Sequence, residues 1–212
     1  MSDITLYELD GYQLWAHPDS RVGKALAQGR PYEHRLLYHT ESQGYGGWVL
    51  DVGASIGNHT VYWAAKCGYQ VAAFEPSPSR YQDLIRNLGA NGLIGKVKHH
   101  PFGLSDEFRT GTLTSASEWR DDPSGSLVAY VGDDLEWALD GNVSMVKVDV
   151  EGHEPQVLAG MLHTLDRDGP DLYVESHTEA ARADVFAVIE PLGYELVGEF
   201  AMGSRMDWWK RP

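Results

Sequence analysis

The sequence predicts an α/β domain with a mostly parallel sheet and helices on both faces of that sheet. From Trp48 onward, short apolar runs alternate with helical patterns. "WVLDV" precedes "NHTVYWAAKCG", "YQVAAFE" precedes "SPSRYQDLIRNLGANG", "SMVKVDV" precedes "EPQVLAGMLHTLDRDG", and "DLYVES" precedes "TEAARADVFAVIEPLG". A strand followed by a helix, repeated along the chain, favours parallel strands joined by right-handed crossovers. The tail "YELVGEF" and "RMDWWK" predicts two closing strands.

The length of 212 residues favours one domain that spans residues 1–212. Residues 1–45 contain "ITLYELDGYQLW", in which two apolar arms flank an Asp10-Gly11 turn and so predict a hairpin; a helical stretch follows it. Because this part is too small to hold a core alone, we expect a hairpin and helical cap on a core of residues 46–212.

The polar stretch from Thr110 to Gly125 contains "SASEWRDDPSGS" and carries no apolar periodicity. It predicts a surface loop. A lid over a binding site is the alternative, since long loops inside compact domains are often functional.

Charge and residue content exclude several classes of partner. The chain has 17 Lys and Arg against 31 Asp and Glu, a formal net charge of −14, which repels a phosphate backbone and an anionic bilayer. We therefore expect neither a nucleic acid nor a membrane partner. Cys67 is the only cysteine, so no intramolecular disulfide can form, which fits a reducing cytoplasm. No signal peptide and no apolar run of about 20 residues is present, so we expect a soluble cytoplasmic protein.

The segment "LDVGASIGNHT" follows the first core strand and predicts a ligand-binding turn. Ligands of open α/β sheets bind outside the carboxyl ends of the strands. Gly53 lets a ligand approach the backbone, and its spacing from Gly57 differs from the G-x-G-x-x-G of dinucleotide-binding turns. Asp51 favours a cation such as an α-ammonium group over a phosphate. A glycine-rich turn without any ligand is the alternative.

The segment "AAFEPSP" ends the second core strand on Glu75 and Pro76. Glu75 comes about 20 residues after the glycine turn, where an acid accepts hydrogen bonds from a ribose diol. The two segments together predict a site for a nucleoside that carries an amino-acid end. In "PFGLSDE", we expect Phe102, Leu104 and the Ser105-Asp106 pair to form an apolar slot with polar ends for an adenine ring, with a simple turn as the alternative.

The segment "VKVDVEGHEPQVL" places several ionisable residues at the end of the fourth core strand. Clusters of this kind favour proton chemistry or metal binding. Val157 stands where an H-E-x-x-H zinc motif needs its second His, which excludes that motif. A hard cation held by Asp149, Glu151 and Glu154 is an alternative, but we predict no metal. "VESH" adds His177 after the fifth strand, and His is the natural base near neutral pH.

These segments, in this order and spacing, resemble the FkbM-type methyltransferases, which are class I enzymes that use S-adenosylmethionine. The resemblance covers roughly residues 46–180, and "DVEGHE" is its most specific part. It implies a Rossmann-like sheet of seven strands in the order 3-2-1-4-5-7-6, with the seventh strand antiparallel. It assigns the cofactor to Asp51, Gly53, Ala54, Gly57, Asn58, His59, Glu75, Pro76, Ser105 and Asp106.

The function predicted from these features is methyl transfer from S-adenosylmethionine to a hydroxyl group of a sugar or a small natural product. The catalytic candidates are Asp149, Glu151, His153 and His177. We expect His177 or Glu151 to act as the general base, with Asp149 orienting substrate or cofactor. One alternative is an NAD(P)-dependent oxidoreductase, which the glycine spacing and the lack of a Tyr-x-x-x-Lys pair disfavour. The other is a non-catalytic nucleoside-binding module, and the oligomeric state is left open.

Overall fold

The strands of the protein, seen in a computed structural model that describes residues 3–115, 117–201 and 205–212, fall into three sheets. In chain order the strands are β1 (Thr5–Leu9), β2 (Tyr12–Ala16), β3 (Trp48–Val52), β4 (Gln70–Phe74), β5 (Lys98–His100), β6 (Gly103–Ser105), β7 (Arg109–Leu113), β8 (Trp119–Asp121), β9 (Leu127–Val131), β10 (Val143–Val148), β11 (Asp171–Glu175), β12 (Glu195–Ala201) and β13 (Arg205–Lys210). The α-helices are α1 (Arg21–Leu26), α2 (His34–Gln43), α3 (Asn58–Val61), α4 (Pro78–Ala90), α5 (Glu154–Ala159), α6 (Leu162–Asp168) and α7 (Glu179–Ile189). A π-helical turn, Tyr62–Lys66, continues α3, and 3-10 segments lie at Asp133–Ala138 and Glu190–Leu192.

The central sheet has the order β5-β4-β3-β10-β11-β13-β12. Counted along the chain, these seven strands lie in the order 3-2-1-4-5-7-6. The strands from β5 to β11 are parallel to their neighbours, whereas β13 is antiparallel to both β11 and β12, so the sheet is mixed. The chain order reverses beside β3, which places a binding crevice at the carboxyl ends of β3, β4 and β10.

Helices cover both faces of this sheet. Alternate residues of a strand point to opposite sides, so neighbouring strand residues are buried against different helices. Val49 and Met145 are buried on one side, in a cluster with side chains of the cap, α2, α3 and α4. Leu50 and Val146 are buried on the other side, in a cluster with side chains of α5, α6 and α7. Strands buried on both faces are typical of doubly covered parallel sheets. The predicted α/β class is confirmed.

The predicted N-terminal hairpin is present as β1 and β2, and it docks on α4 through two asparagine side chains. The backbone of Gln13 exchanges two hydrogen bonds with the amide of Asn91, of 2.9 and 2.7 Å. The backbone of Trp15 does the same with the amide of Asn87, at 2.7 and 3.1 Å. These amides take the place of a neighbouring strand along β2, so the cap is fixed to the core next to the end of β3.

The polar stretch 110–125 is not the loop that the sequence predicts. It contributes to a second sheet of order β6-β9-β7-β8, although residue 116 lies outside the described residues. Gly111 and Gly125 permit this pairing, since a Cβ on Gly125 would lie 2.2 Å from the carbonyl oxygen of Gly111. Within the described residues, no helix has both the length and the apolar character needed to cross a membrane.

Candidate active site

A cavity of about 460 Å³ opens at the carboxyl ends of β3, β4, β10 and β11. Its volume is within the range of roughly 300–1,000 Å³ that small-molecule sites occupy. The core strands supply its floor, including Gly53, Glu75 and Lys147. The cap supplies one wall, which includes Tyr32, and the second sheet supplies another, which includes Trp119.

The glycine turn after β3 has its bare backbone for reasons of packing. Gly53 has φ +81°, and a Cβ there would lie 1.9 Å from the carbonyl oxygen of Asp149. Gly57 has φ +87°, and a Cβ there would lie 2.7 Å from Leu84 Cδ1. Gly53 and Ala54 line the cavity, whereas Gly57 does not. The close approach of β10 therefore requires Gly53 whether or not a ligand is bound.

Asp51 lies behind the cavity wall and forms an ion pair with Lys147. The carboxylate is fully buried, with Lys147 Nζ at 3.1 Å and the hydroxyl of Thr60 donating to it at 2.6 Å. Lys147 Nζ also donates to the carbonyl oxygen of Gly53 at 2.9 Å. Burial alone raises the pKa of Asp51, but the charge of Lys147 lowers it overall. Asp51 therefore does not reach the cavity, contrary to its predicted contact with an α-ammonium group.

Lys147 lines the cavity, and the sequence assigned it no role. Burial alone lowers its pKa, but the carboxylates of Asp51 and Asp149 outweigh burial and raise it. The ammonium group therefore stays charged, although the side chain is only 1% exposed. The available signal is the pattern "VKV", a lysine inside a strand that is otherwise apolar.

Glu75 lines the cavity at the end of β4, together with Pro76. Its Oε1 accepts a hydrogen bond from the backbone N–H of Ser77 at 2.8 Å, and its Oε2 accepts one from that of Ser55 at 2.9 Å. Burial raises its pKa against the opposite effect of these two bonds. The carboxylate is held in one orientation, and its remaining lone pairs can accept hydrogen bonds from hydroxyl groups.

Ser105 and Asp106 do not reach the cavity, although Leu104 beside them does. Ser105 is the last residue of β6, and its Oγ donates to Asp106 Oδ1 at 2.9 Å and lies 3.0 Å from His153 Nε2. Arg109 Nε donates to the same Oγ at 3.0 Å. Ser105 therefore contacts both His153 and Arg109, and Asp106 accepts a hydrogen bond from Arg109 at 3.0 Å. Phe102 packs instead against His100 and Tyr130.

The acidic segment after β10 divides into residues on the cavity and a residue that caps the turn. Asp149, Glu151 and His153 line the cavity. Glu154 is buried, and its Oε1 accepts the backbone N–H groups of Val150 and Gly152 at 3.0 and 3.1 Å. The structure thus does not assemble the alternative cation site that would need Glu154. Burial, followed by the charge of Arg109, lowers the pKa of His153, which favours the neutral imidazole.

His177 does not line the cavity but lies beside it, between two carboxylates that do. Its Nε2 is 3.2 Å from Glu175 Oε2 and 3.4 Å from Glu151 Oε2, and both acids line the cavity. Glu151 has φ +56°, an uncommon left-handed conformation for a residue with a side chain. The donor atoms of these three residues lie within 4.8 Å of one another, so they are also the candidate ligands for a divalent cation.

The cap meets the start of α3 through polar contacts on the cavity wall. His59 Nε2 lies 3.0 Å from Glu33 Oε2, and both side chains are buried. Asn58 Nδ2 donates to the carbonyl oxygen of Tyr32 at 3.1 Å. Asn58 and His59 thus line the cavity as members of a wall that the cap completes. No sequence motif marks Glu33, because its role depends on how the cap packs against the core.

A family model described as the methyltransferase FkbM domain matches residues 51–196, which is more than half of the chain. Among curated proteins, the chain is 32% identical over 125 residues to the hexuronic acid methyltransferase AglP of Haloferax volcanii. That match covers 55% of this chain and 51% of the relative. The chain therefore spans about half the length of this curated relative.

Solved methyltransferases have the same fold. The methyltransferase FkbM of Methylobacillus flagellatus superposes with a TM-score of 0.60 at 18% identity, over 77% of this chain and 43% of that one. The tRNA (uracil-54, C5)-methyltransferase of Pyrococcus abyssi, solved in complex with S-adenosyl-L-homocysteine, superposes with a TM-score of 0.56 at 15% identity, over 98% of this chain and 43% of that one. At these identities the similarity establishes the fold.

Proposed function

The chain belongs to the FkbM methyltransferase domain family, and we propose that it transfers a methyl group from S-adenosylmethionine to a hydroxyl oxygen of a sugar or a small natural product. The observation that carries this proposal is the cavity at the strand ends, with Glu75 on its floor fixed by two backbone N–H groups. A buried acid in this position suits the ribose diol of a nucleoside.

The reaction needs alignment and one proton transfer. The bond from the acceptor oxygen to the methyl carbon forms while the bond from that carbon to the donor sulfur breaks, and the sulfur leaves as a neutral thioether. Alignment of oxygen, carbon and sulfur can supply roughly 7–11 kcal/mol of the barrier. The acceptor hydroxyl must also lose its proton to a base.

We assign the general base to His177 or Glu151. His177 lies between Glu151 and Glu175, which would stabilise the imidazolium that forms when it takes the proton. A base within hydrogen-bond reach of the hydroxyl contributes about 10²–10⁴ in rate. Asp149, on the cavity wall beside Lys147, would orient the donor or the acceptor.

A sugar is the preferred acceptor class. The name of the hexuronic acid methyltransferase relative supports it, and so do the aromatic side chains of Trp15, Tyr32 and Trp119 on the cavity walls, since flat rings can pack against a sugar ring. A nucleic acid acceptor is disfavoured by the net charge of −14, because nucleic acid binding depends on clustered Lys and Arg.

Ligand-induced stabilisation tests the donor assignment. We expect S-adenosylhomocysteine to raise the melting temperature of the protein and NAD⁺ to leave it unchanged, because a ligand that binds only the folded state stabilises it. Stabilisation by NAD⁺ alone would favour the oxidoreductase and reject the proposal.

Product analysis tests the reaction. The protein is incubated with S-adenosylmethionine and a panel of sugars, uronic acids and hydroxylated natural products, and mass spectrometry follows methylated products. We expect one class of hydroxyl acceptor to gain a methyl group. Donor binding without transfer to any acceptor in the panel would contradict the catalytic part of the proposal and favour a nucleoside-binding module.

A further inference from the structure

We propose that Glu33, in the N-terminal cap, is the carboxylate that binds the α-ammonium group of the methyl donor. The inference rests on the proposed function and adds a donor-binding residue outside the matched segment 51–196. It replaces Asp51, to which the sequence assigned this contact, and it makes the cap part of the donor site.

Asp51 is closed to a second cation. Its carboxylate is fully buried, with Lys147 Nζ at 3.1 Å and the Thr60 hydroxyl at 2.6 Å, and it does not line the cavity. An ammonium group of a ligand would have to displace Lys147 and leave that charge buried without its partner, which is strongly unfavourable. The ammonium group of the donor must therefore contact a different acid.

Glu33 lines the cavity and contacts the start of α3, the helix that follows β3. It directly precedes α2 and adopts φ +55°, and its Oε2 lies 3.0 Å from His59 Nε2 at the start of α3. Asn58, next in the chain to His59, holds the neighbouring carbonyl of Tyr32 at 3.1 Å. Glu33 also lies near enough to Lys147 for its charge to contribute to the raised pKa of that lysine.

The two buried acids Glu75 and Glu33 both line the cavity, and each contacts a different part of the segment that follows β3. Glu75 follows β4, whereas Glu33 contacts α3, which begins after the turn that ends β3. A donor whose ribose is bound by Glu75 and whose chain crosses Gly53 brings its amino-acid end towards Glu33 and β10. The two ends of the donor thus meet carboxylates from two different parts of the chain.

The other acids on the cavity wall suit this contact less well. Asp149 is 26% exposed, and its carboxylate already forms an ion pair of 3.5 Å with Lys147. Glu151 and Glu175 share His177 and lie towards β11, two strands away from β3. Glu33 is only 5% exposed, and charges interact more strongly where water is excluded.

The test compares two ligands that differ only at the amino-acid end. S-adenosylhomocysteine carries the α-ammonium group, whereas 5′-methylthioadenosine has the same adenine, ribose and thioether without it. Calorimetry measures both with the unaltered chain, with Glu33→Gln and with Glu41→Gln. Glu41 is the matched control, because it lies on the cap and accepts a hydrogen bond from the Tyr62 hydroxyl of the core but does not line the cavity.

We expect Glu33→Gln to weaken the affinity for S-adenosylhomocysteine by about 10- to 100-fold, which is the effect of losing a charge-assisted contact. The affinity for 5′-methylthioadenosine should change by less than about twofold. Glu41→Gln should change neither. Equal weakening of both ligands would mean that Glu33 only holds the cap in place, and no weakening would mean that another acid binds the ammonium group. Either result overturns the inference while leaving the proposed function intact.

A second measurement does not depend on how the variant folds. In a crystal of the unaltered chain with S-adenosylhomocysteine, we expect the amino nitrogen within hydrogen-bond distance of a Glu33 carboxylate oxygen. A bound ligand whose amino nitrogen contacts only other groups overturns the inference. If neither ligand binds the unaltered chain, the proposed function fails and this inference fails with it.

Discussion

Asp51 and Lys147 are register partners on the adjacent parallel strands β3 and β10, and their side chains form an ion pair of 3.1 Å that is closed to solvent. Both side chains lie on the face that the cap, α3 and α4 cover, since their neighbours Val49 and Met145 belong to that cluster. The pair joins the turn after β3 to the acidic segment after β10, because Lys147 also donates to Gly53 and lies near Asp149. Of the two side chains, Lys147 lines the cavity and Asp51 lies behind it.

The buried pair predicts a large loss of stability when one partner is removed. We expect Lys147→Met to lower the free energy of unfolding by about 3–5 kcal/mol, because it leaves the Asp51 carboxylate buried without a counter-charge. The double variant Asp51→Asn, Lys147→Met should recover part of that loss. Urea unfolding measures the free energy of unfolding of the unaltered chain, the single variant and the double variant. Asp10→Asn is the control, since the Asp10–Lys66 pair lies at the surface and its loss should have no measurable effect. Equal losses in the single and double variants would show that the charge is not the cause.

Glu75 and Glu154 form a matched pair of buried carboxylates. Each accepts two backbone N–H groups, but only Glu75 lines the cavity. We expect Glu75→Gln and Glu154→Gln to lower the melting temperature similarly, because each places an amide NH₂ against a backbone donor. Calorimetry should find the affinity for S-adenosylhomocysteine weakened by about 10- to 100-fold in Glu75→Gln alone. Equal affinities in the two variants would refute the ribose contact.

The sheet could be predicted from the sequence because its central strands are buried on both faces and so appear as short apolar runs between helical windows. The ends of those strands follow from the topology, which is why the sequence places Glu75, Asp149 and Glu151 at strand ends, and there they line the cavity. The second sheet was missed because Gly111 and Gly125 are typical of turns in a sequence, whereas here they permit a close approach of two backbones.

The details of the site depend on tertiary contacts that no local pattern encodes. Asp51 was assigned to a ligand because the sequence does not show that Lys147 lies opposite it in the sheet register. Ser105 is expected at a polar end of an adenine slot, whereas in the structure β6 pairs with β9 and directs Ser105 to His153. Glu33 was missed because residues 1–45 carry no motif.

The partly buried side chain of His100 predicts that acid destabilises the protein. Burial lowers the pKa of His100 below its ordinary value of 6.5, and the ring stacks on Phe74 at 5.0 Å. The unfolded state therefore binds a proton at a higher pH than the folded state does, so stability is complete above about pH 6.5 and falls as the pH drops towards the folded pKa. We expect His100→Gln to have a smaller decrease in melting temperature between pH 6.5 and pH 5 than the unaltered chain. Parallel curves for the two proteins would exclude His100 as a source of the pH dependence.

The contacts of His177 predict a defect in turnover without a defect in donor binding. His177 lies 3.2 Å from Glu175 and 3.4 Å from Glu151, and it does not line the cavity in which the donor is expected. Once an acceptor is known, we expect His177→Ala to lower kcat by about 10²–10⁴, with the affinity for S-adenosylhomocysteine unchanged. His163→Ala, at an exposed histidine away from the cavity, is the control.

Because the imidazole of His177 already lies against both carboxylates, we expect EDTA to leave turnover unchanged. Loss of turnover with EDTA and its recovery with a divalent cation would instead make Glu151, Glu175 and His177 metal ligands. Full turnover of both His177→Ala and Glu151→Gln would show that neither residue is the general base.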